Sequence, residues 1–100
     1  MVTMEVEMHA FAEGKIRTVT LPRLVTPGLG AAFEFGQNDF ATEEDRAQGL
    51  PSVSVGDIIR FDGKRFVVLP VGFKEVPADF APPADDRGGF YAYSLMKGGG

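Results

Sequence analysis

The chain contains no cysteine and no tryptophan, and it has a single histidine among its 100 residues. Without cysteine it has no disulfide, no thiolate metal site and no thiol nucleophile, so packing alone must hold the fold together. No apolar run approaches the roughly 18 residues that a membrane span requires. The first residues, MVTMEVEM, carry acids where a secretory signal would carry basic residues. We therefore expect a cytoplasmic protein without a membrane anchor.

The chain is mildly acidic. It has 10 basic and 14 acidic residues, a net charge of −4, which disfavours nucleic-acid binding because that depends on a positive surface. A basic protein partner is compatible with this charge. Hydrophobic residues make up 44% and charged residues 24%, the balance of an ordinary globular protein, and residues 1–100 fit a single domain.

The stretch from Thr3 to Leu21 predicts a first β-hairpin. Apolar and polar residues alternate through MEVEMH, which is the period of a half-buried strand. The dipeptide EG at residues 13–14 supplies the turn, and a two-residue loop there would pair Met8 with Val19. One face of this hairpin would be apolar and the other polar.

The strongest local signal is PSVSVGDIIRFDGKRFVVLPVGF at residues 51–73. An Asp-Gly pair at residues 62–63 separates two apolar runs and favours a type I′ turn, in which both central residues have positive φ. A two-residue loop pairs Ile59 with Phe66 and Arg60 with Arg65. The resulting hairpin is apolar on both faces, so it belongs in the middle of a small barrel or under a covering helix.

The segment from Leu24 to Gly36 favours a short helix that covers one end of the sheet. Thr26 can cap its N-terminus, Pro27 suits the first helical position, and Gly36 suits the position after its end. Two glycines inside the segment disfavour a helix, so a strand over residues 32–35 is the alternative.

The remaining segments carry weaker signals. Residues 41–50 indicate a polar connection, and residues 77–89, rich in proline and acids, indicate irregular chain. FYAYSLM supports a last strand from Phe90 to Leu95, and residues 97–100 form a predicted flexible tail. The predicted fold is α+β and mainly β, with two antiparallel hairpins in a small curved sheet or partly open barrel and one short helix. The residues expected in the core are Val6, Met8, Val19, Leu21, Phe33, Ile59, Phe61, Phe66 and Val68.

One candidate contact surface is the loop after the predicted helix. It contains Gln37, Asn38, Asp39 and Phe40, whose amide groups both donate and accept hydrogen bonds. Loops on a rigid scaffold are favoured places for recognition. The structural alternative is a helix end with Gly36 in the left-handed conformation and with Asn38 and Asp39 hydrogen-bonded locally.

A second candidate surface lies at the tip of the second hairpin and consists of Arg60, Lys64 and Arg65. An arginine pair can fork onto the carboxylates of a partner. The alternative is a solvated turn end whose like charges are relieved by neighbouring acids.

No residue pattern predicts catalysis, a metal site or a cofactor. His9 is expected on an exposed strand face beside Glu7, whereas metal ligands converge from several elements. Ser52 and Ser54 have no neighbouring base, so nucleophilic catalysis is not indicated. Asp57 precedes a strand, where its carboxylate is expected to accept hydrogen bonds from backbone N–H groups. We therefore expect no enzymatic activity.

The string LPSVSVGDIIRFDGKRFVVLPVGFKEV, residues 50–76, resembles the core of the YodL-like proteins, small domains of phage, conjugative-element and related bacterial sequences. FEFGQNDF, from Phe33 to Phe40, resembles a step that precedes the hairpin in similar phage-encoded sequences. The match is carried by Ser52, Val53, Ser54, Val55, Asp57, Gly72 and Phe73. The resemblance implies an accessory protein of a mobile element and brings no catalytic residue with it.

Two functional hypotheses follow. The first is a non-enzymatic phage or mobile-element protein that binds a host protein and inhibits host defence. The second is a structural or assembly module, such as a homo-oligomeric, virion-associated protein that uses a sheet edge. Small size, mild acidity and the lack of catalytic groups favour the first.

Overall fold

A computed structural model describes residues 2–98, which form one antiparallel sheet of five strands and three short helices. The strands are β1 (Thr3–Glu7), β2 (Ile16–Thr20), β3 (Ile58–Phe61), β4 (Lys64–Val68) and β5 (Phe73–Val76), and the helices are α1 (Leu29–Phe35), α2 (Glu43–Ala47) and α3 (Tyr91–Gly98). The strand order is β2-β1-β3-β4-β5, so the sheet stays open. This confirms an α+β, mainly β fold. In the described part of the chain, no helix is long and apolar enough to cross a bilayer.

The second hairpin has the predicted register. Ile59 lies opposite Phe66, and Arg60 lies opposite Arg65. Asp62 has a φ of 54° and Gly63 a φ of 72°, so both central residues of the turn have the positive φ that the sequence predicted. β3 also pairs with β1, which joins the two hairpins into one sheet.

The first hairpin forms, but its predicted register is wrong by four residues. Val19 pairs with Met4 rather than Met8, because the chain between residues 8 and 15 makes a wide turn instead of a two-residue loop. Since the side-chain period of a strand is two, an even shift keeps the apolar residues on the same face. The shift brings Arg17 opposite Val6, on the buried face.

Each face of the sheet packs against its own apolar cluster. The first face, which includes Val6 and Ile59, packs against α1 and Val53. The second face, which includes Ile58 and Val67, packs against the segment of residues 77–98 that ends in α3. We call residues 29–53 the first cover and residues 77–98 the second cover.

Most of the predicted core is confirmed. The buried members are Val6, Met8, Val19, Leu21, Ile59 and Val68. Phe61 and Phe66 are only half-buried. The prediction for Phe33 is wrong, because Ala32 occupies the inward position of α1 and Phe33 is exposed.

The predicted helix exists but begins later than expected. Gly28, rather than Thr26, precedes its first turn. Gly36 follows it with a φ of −85°, so the predicted left-handed conformation is wrong. Glycine is needed there for space, since a Cβ would overlap the side chain of Val53 and the carbonyl oxygen of Ala32.

Two further helices were not predicted. α2 lies in the expected polar connection, where Thr42 and Asp45 form a reciprocal capping box. The predicted strand from Phe90 to Leu95 is wrong, because this segment begins α3. Tyr91, Ala92 and Leu95 face the sheet at helical spacing.

Three further segments, all in the C-terminal third of the chain, can be compared with their predictions. The edge strand β5 lies beyond the predicted second hairpin and was missed. Residues 77–89 are irregular, as predicted. The predicted tail at residues 97–100 begins within α3, and its last two residues lie outside the described part of the chain.

Candidate functional site

The loop that was predicted to contact a partner is held from inside the protein by the buried side chain of Arg17. Its side chain, 1% exposed, donates from Nη1 to Asn38 Oδ1 at 3.1 Å and to Pro51 O at 2.8 Å. Nη2 donates to Gln37 O at 3.3 Å and lies 3.5 Å from Asp45 Oδ2. Arg17 of β2 therefore joins the loop after α1, the helix α2 and the chain that leads to β3.

Two of the four predicted loop residues serve the fold. Gln37 Nε2 donates to Phe33 O at 2.7 Å and to Val53 O at 3.1 Å. Asn38, besides its bond with Arg17, donates its backbone N–H to Ser52 Oγ at 2.8 Å. These bonds hold Gln37 and Asn38 within the fold, but the structural alternative is wrong for Asn38, whose side chain bonds the distant Arg17 rather than a local group.

The other two residues, Asp39 and Phe40, lie at the surface. Phe40 is 51% exposed, and its ring meets that of Phe35 edge-on, with centroids 4.8 Å apart. This contact places the exposed ring beside α1. Phe40 is also three residues from Glu43, where α2 begins.

The net charge of the protein is concentrated in this region. Residues 29–48 contain five acids and one base, a balance of −4, and the other 80 residues contain nine of each. Asp45 is buried against Arg17, whereas the other four acids and the base, Arg46, are exposed. We use the term acidic surface for the exposed acids and phenylalanines of this region, which are Phe33, Glu34, Asp39, Phe40, Glu43 and Glu44.

At the second predicted surface, Arg60 and Arg65 are paired within the protein. Glu7 of β1 accepts from Arg60 Nε at 3.0 Å and from Arg65 Nε and Nη2 at 2.9 and 2.7 Å. Glu5 accepts from Arg60 Nη1 at 2.9 Å. Hydrogen bonding from Arg65 lowers the pKa of Glu7, and this effect together with Arg60 outweighs the opposing effect of burial. Glu7 thereby relieves the repulsion between two opposed arginines, as the structural alternative predicted.

Arg65 also holds the second cover. Its Nη1 donates to the carbonyl oxygens of Pro77, Ala78 and Phe80 at 3.2, 3.0 and 2.6 Å. Lys64, by contrast, is exposed and makes no hydrogen bond or ion pair within residues 2–98. The structure does not bring the two predicted surfaces together as one site, because Arg17 reaches the first from the Val6 face of the sheet, whereas Glu5 and Glu7 hold the second on the opposite face.

His9 pairs with Asp86, a contact that was not predicted from the sequence. The prediction of an exposed His9 is wrong, because only 8% of its side chain is exposed and Nε2 lies 2.9 Å from Asp86 Oδ2. Asp86 also accepts from the backbone N–H groups of Gly89, at 3.0 Å, and Tyr91, at 2.7 Å. Burial raises the pKa of Asp86, but these hydrogen bonds outweigh it and the net pKa is lowered.

Asp57 positions the backbone of His9. Its Oδ1 accepts from the N–H groups of His9 and Ala10 at 2.8 and 2.9 Å, and Oδ2 accepts from Ser54 N at 2.8 Å. The predicted backbone-capping role is confirmed. Burial raises the pKa of Asp57 despite these three bonds, which act in the opposite direction.

The backbone at Gly56 lies very close to the backbone at Gly89. Both glycines have positive φ, and a Cβ on either one would overlap the backbone of the facing segment. The hydroxyl of Tyr91 donates to Gly56 O, and its ring meets the His9 ring edge-on at 5.4 Å. Burial also raises the pKa of the Tyr91 phenol well above its ordinary value. The start of α3 is therefore fixed against the chain that enters β3.

Comparison of the chain with protein-family models, with curated proteins and with solved structures gives no match. The resemblance to YodL-like proteins thus stays a prediction. Within residues 2–98, no cluster of three or more His, Asp or Glu side chains is arranged to hold a metal ion.

Proposed function

We propose that this chain is a non-enzymatic binding protein that presents the acidic surface to a basic surface of a partner protein. The observation that carries the proposal is the presence, within residues 29–48, of four exposed acids against one exposed base, together with two exposed phenylalanines, Phe33 and Phe40. Aromatic side chains are enriched among the residues that dominate binding energy. Surrounding charges orient a complementary partner and accelerate its association.

Hydrogen bonds inside the protein hold the acidic surface in place, and this supports the proposal. Arg17 fixes the loop that carries Asp39 and Phe40, and the capping box between Thr42 and Asp45 fixes the start of α2. A surface that is ordered before binding loses less conformational entropy when the complex forms. The internal bonds of the first cover therefore favour recognition by the side chains that remain outside.

The resemblance of residues 50–76 extends the proposal to the identity of the partner. It supports a phage or mobile-element accessory protein that acts in a host cytoplasm on a host protein, as an inhibitor of host defence. This extension rests on the resemblance, whereas the acidic binding surface rests on the geometry.

A structural or assembly module is the second candidate. It is favoured by β5, an edge strand of four residues next to Val71, which is 77% exposed. Strand edges present unpaired N–H and C=O groups on which another chain can add. Light scattering distinguishes the candidates, because assembly through β5 requires an oligomer that Val71→Lys dissociates, whereas a monomeric parent protein contradicts it.

The main experiment is retention of bacterial lysate proteins on immobilised variants. The test variant combines Phe40→Ala, Glu43→Gln and Glu44→Gln. The matched control combines Phe90→Ala, Asp79→Asn and Asp85→Asn, and so removes one exposed aromatic ring and two exposed acids from the second cover. Unchanged melting temperatures would show that both variants fold.

We expect proteins retained by the parent and the control to be lost from the test variant and to elute as salt rises, because salt screens exposed charges. Equal retention by the two variants would contradict the proposal.

A further inference from the structure

We propose that the cavity beside His9 binds a primary ammonium group carried on a short alkyl chain. This site is separate from the acidic surface and does not depend on the function proposed for it. The cavity, of about 310 Å³, lies between the end of β1, the wide turn after it and residues 81–82 of the second cover. Its lining includes Glu7, His9, Glu13, Ile16, Ile58 and Pro82.

The His9 ring offers a hydrogen-bond acceptor to this cavity. Nε2 lies 2.9 Å from Asp86, and an ionised carboxylate can only accept, so in the neutral ring Nε2 carries the proton. Nδ1 then presents its lone pair, and it makes no hydrogen bond within residues 2–98. Among those residues, the one buried side-chain nitrogen or oxygen that lacks a partner is Arg17 Nε. His9 lines the cavity, and Nδ1 is the ring nitrogen left for a ligand when Nε2 is bonded to Asp86.

Glu13 supplies the charge. It is exposed in the wide turn and makes no ion pair within the described part of the chain. Glu7, the other acid of the lining, is already neutralised because its two carboxylate oxygens accept from Arg60 and Arg65. The remaining unneutralised charge of the lining is thus the Glu13 carboxylate.

The side chains of the lining that can form hydrogen bonds are His9 and the two glutamates, and with the His9 ring neutral none of them offers a free donor. The matching ligand group is therefore a donor, and the Glu13 carboxylate favours a cation. An ammonium group has three N–H donors, enough to bond both Nδ1 of His9 and a Glu13 oxygen.

The apolar walls define the rest of the ligand. Ile16, Ile58 and Pro82 flank the polar groups. The cavity volume lies near the lower limit of about 300 Å³ that is usual for small-molecule sites. A short alkyl chain can fill such a space and bury its methylene groups. The same chemistry is found in a free small amine and in the lysine side chain of a partner protein.

The test is a titration of ¹⁵N-labelled protein followed by NMR. The probes are n-butylammonium chloride and Nα-acetyl-lysine methylamide, with sodium chloride at equal ionic strength and n-butanol as controls. We expect saturable shifts confined to the amides of residues 7–16, 58 and 81 and to the ring nitrogens of His9, and produced by neither control. Tighter binding of butylammonium indicates a free amine, whereas tighter binding of the lysine compound indicates a partner's side chain.

Glu13→Gln should weaken butylammonium binding about tenfold, since it removes one charge-assisted hydrogen bond. Glu44→Gln, which removes an exposed acid from the acidic surface, should leave it unchanged. Equal affinities for the two variants, shifts that sodium chloride reproduces, or no shifts at tens of millimolar amine would overturn the assignment. None of these results alters the outcome expected for lysate proteins on the acidic surface.

Discussion

Both covers of the sheet are held by an arginine of a strand, and they differ in the partner of their buried acid. In the first cover, Arg17 of β2 donates to carbonyl oxygens and is itself the partner of the Asp45 carboxylate. In the second cover, Arg65 of β4 donates to carbonyl oxygens, whereas the buried acid, Asp86, pairs with His9. The first cover leaves four acids facing solvent, and the second borders a cavity. The same sheet therefore carries one surface suited to a protein and one site suited to a small group.

The largest expected effect is that of Arg17→Met on the first cover. The substitution removes the cation beside the Asp45 carboxylate, which keeps its bond from the Thr42 N–H, and it removes the donor to the carbonyls of Gln37 and Pro51. Removing one partner of a buried pair costs about 3–5 kcal/mol of unfolding free energy, which urea denaturation would measure. Arg60→Met, at an exposed pair, should cost at most about 1 kcal/mol. Equal losses would show that Arg17 does not hold the first cover.

Asp86→Ala should have the next largest effect, on the second cover. It removes the acceptor of His9 and of two backbone N–H groups, at Gly89 and Tyr91, and unsatisfied buried donors cost about 2–3 kcal/mol here. Amide exchange should become faster in α3 and stay unchanged in α1. Asp85→Ala, at an exposed neighbour, is the control, and an effect as large as that of Asp86→Ala would refute the role given to Asp86.

Acid should loosen the second cover in particular. The pKa values of Asp86 and Glu7 are lowered from the ordinary 3.8 and 4.5. A carboxylate with a lowered folded-state pKa contributes stability above its unfolded pKa and loses it as pH falls through the folded value. Asp57 has a raised pKa and acts oppositely, since its contribution is present at low pH and is lost as pH rises through the raised value.

We expect the two lowered groups to dominate, so that unfolding free energy falls below about pH 4. Urea denaturation at a series of pH values measures this dependence. Glu7→Gln should flatten it, and an unchanged slope would contradict the assignment.

The smallest expected effect is a gain in stability from Leu24→Gly, just before the first cover. Leu24 has a φ of 78° and is 97% exposed in a turn closed by a hydrogen bond from Val25 N to Pro22 O. A positive φ costs a residue with a Cβ about 1–2 kcal/mol, and glycine regains part of this after its own entropic cost. The melting temperature should rise slightly. Leu24→Ala keeps the Cβ and should give no such gain, and a lower melting temperature for the glycine variant would contradict this explanation.

The sheet was more predictable than its covers because three of its four strand pairings join consecutive strands of the chain. The Asp-Gly turn at residues 62–63 fixes every pair of the second hairpin. In the first hairpin the period of two identifies the faces, but any even shift preserves them, so the wide turn changed the register without changing the pattern. The sequence TEED of the capping box at α2 was a readable signal, with Thr42 three residues before Asp45.

The candidate sites depend on contacts that no local pattern encodes. His9 and Asp86 are 77 residues apart, and Arg17 and Asn38 are 21 apart. The alternation that continues from β1 to His9 predicted an exposed histidine. A local pattern of this kind carries no sign that the second cover packs over that face. Phe40 and Asp39 were identified because they follow a predicted helix, whereas the clustering of net charge around them is a property of the whole composition.

The most direct test of the acidic surface is amide hydrogen exchange of the protein with and without the partner retained from lysate. If the partner binds the acidic surface, we expect slower exchange on binding within residues 29–48 and little change elsewhere. Slower exchange confined to residues 60–65, or to the edge strand β5, with residues 29–48 unchanged, would contradict it.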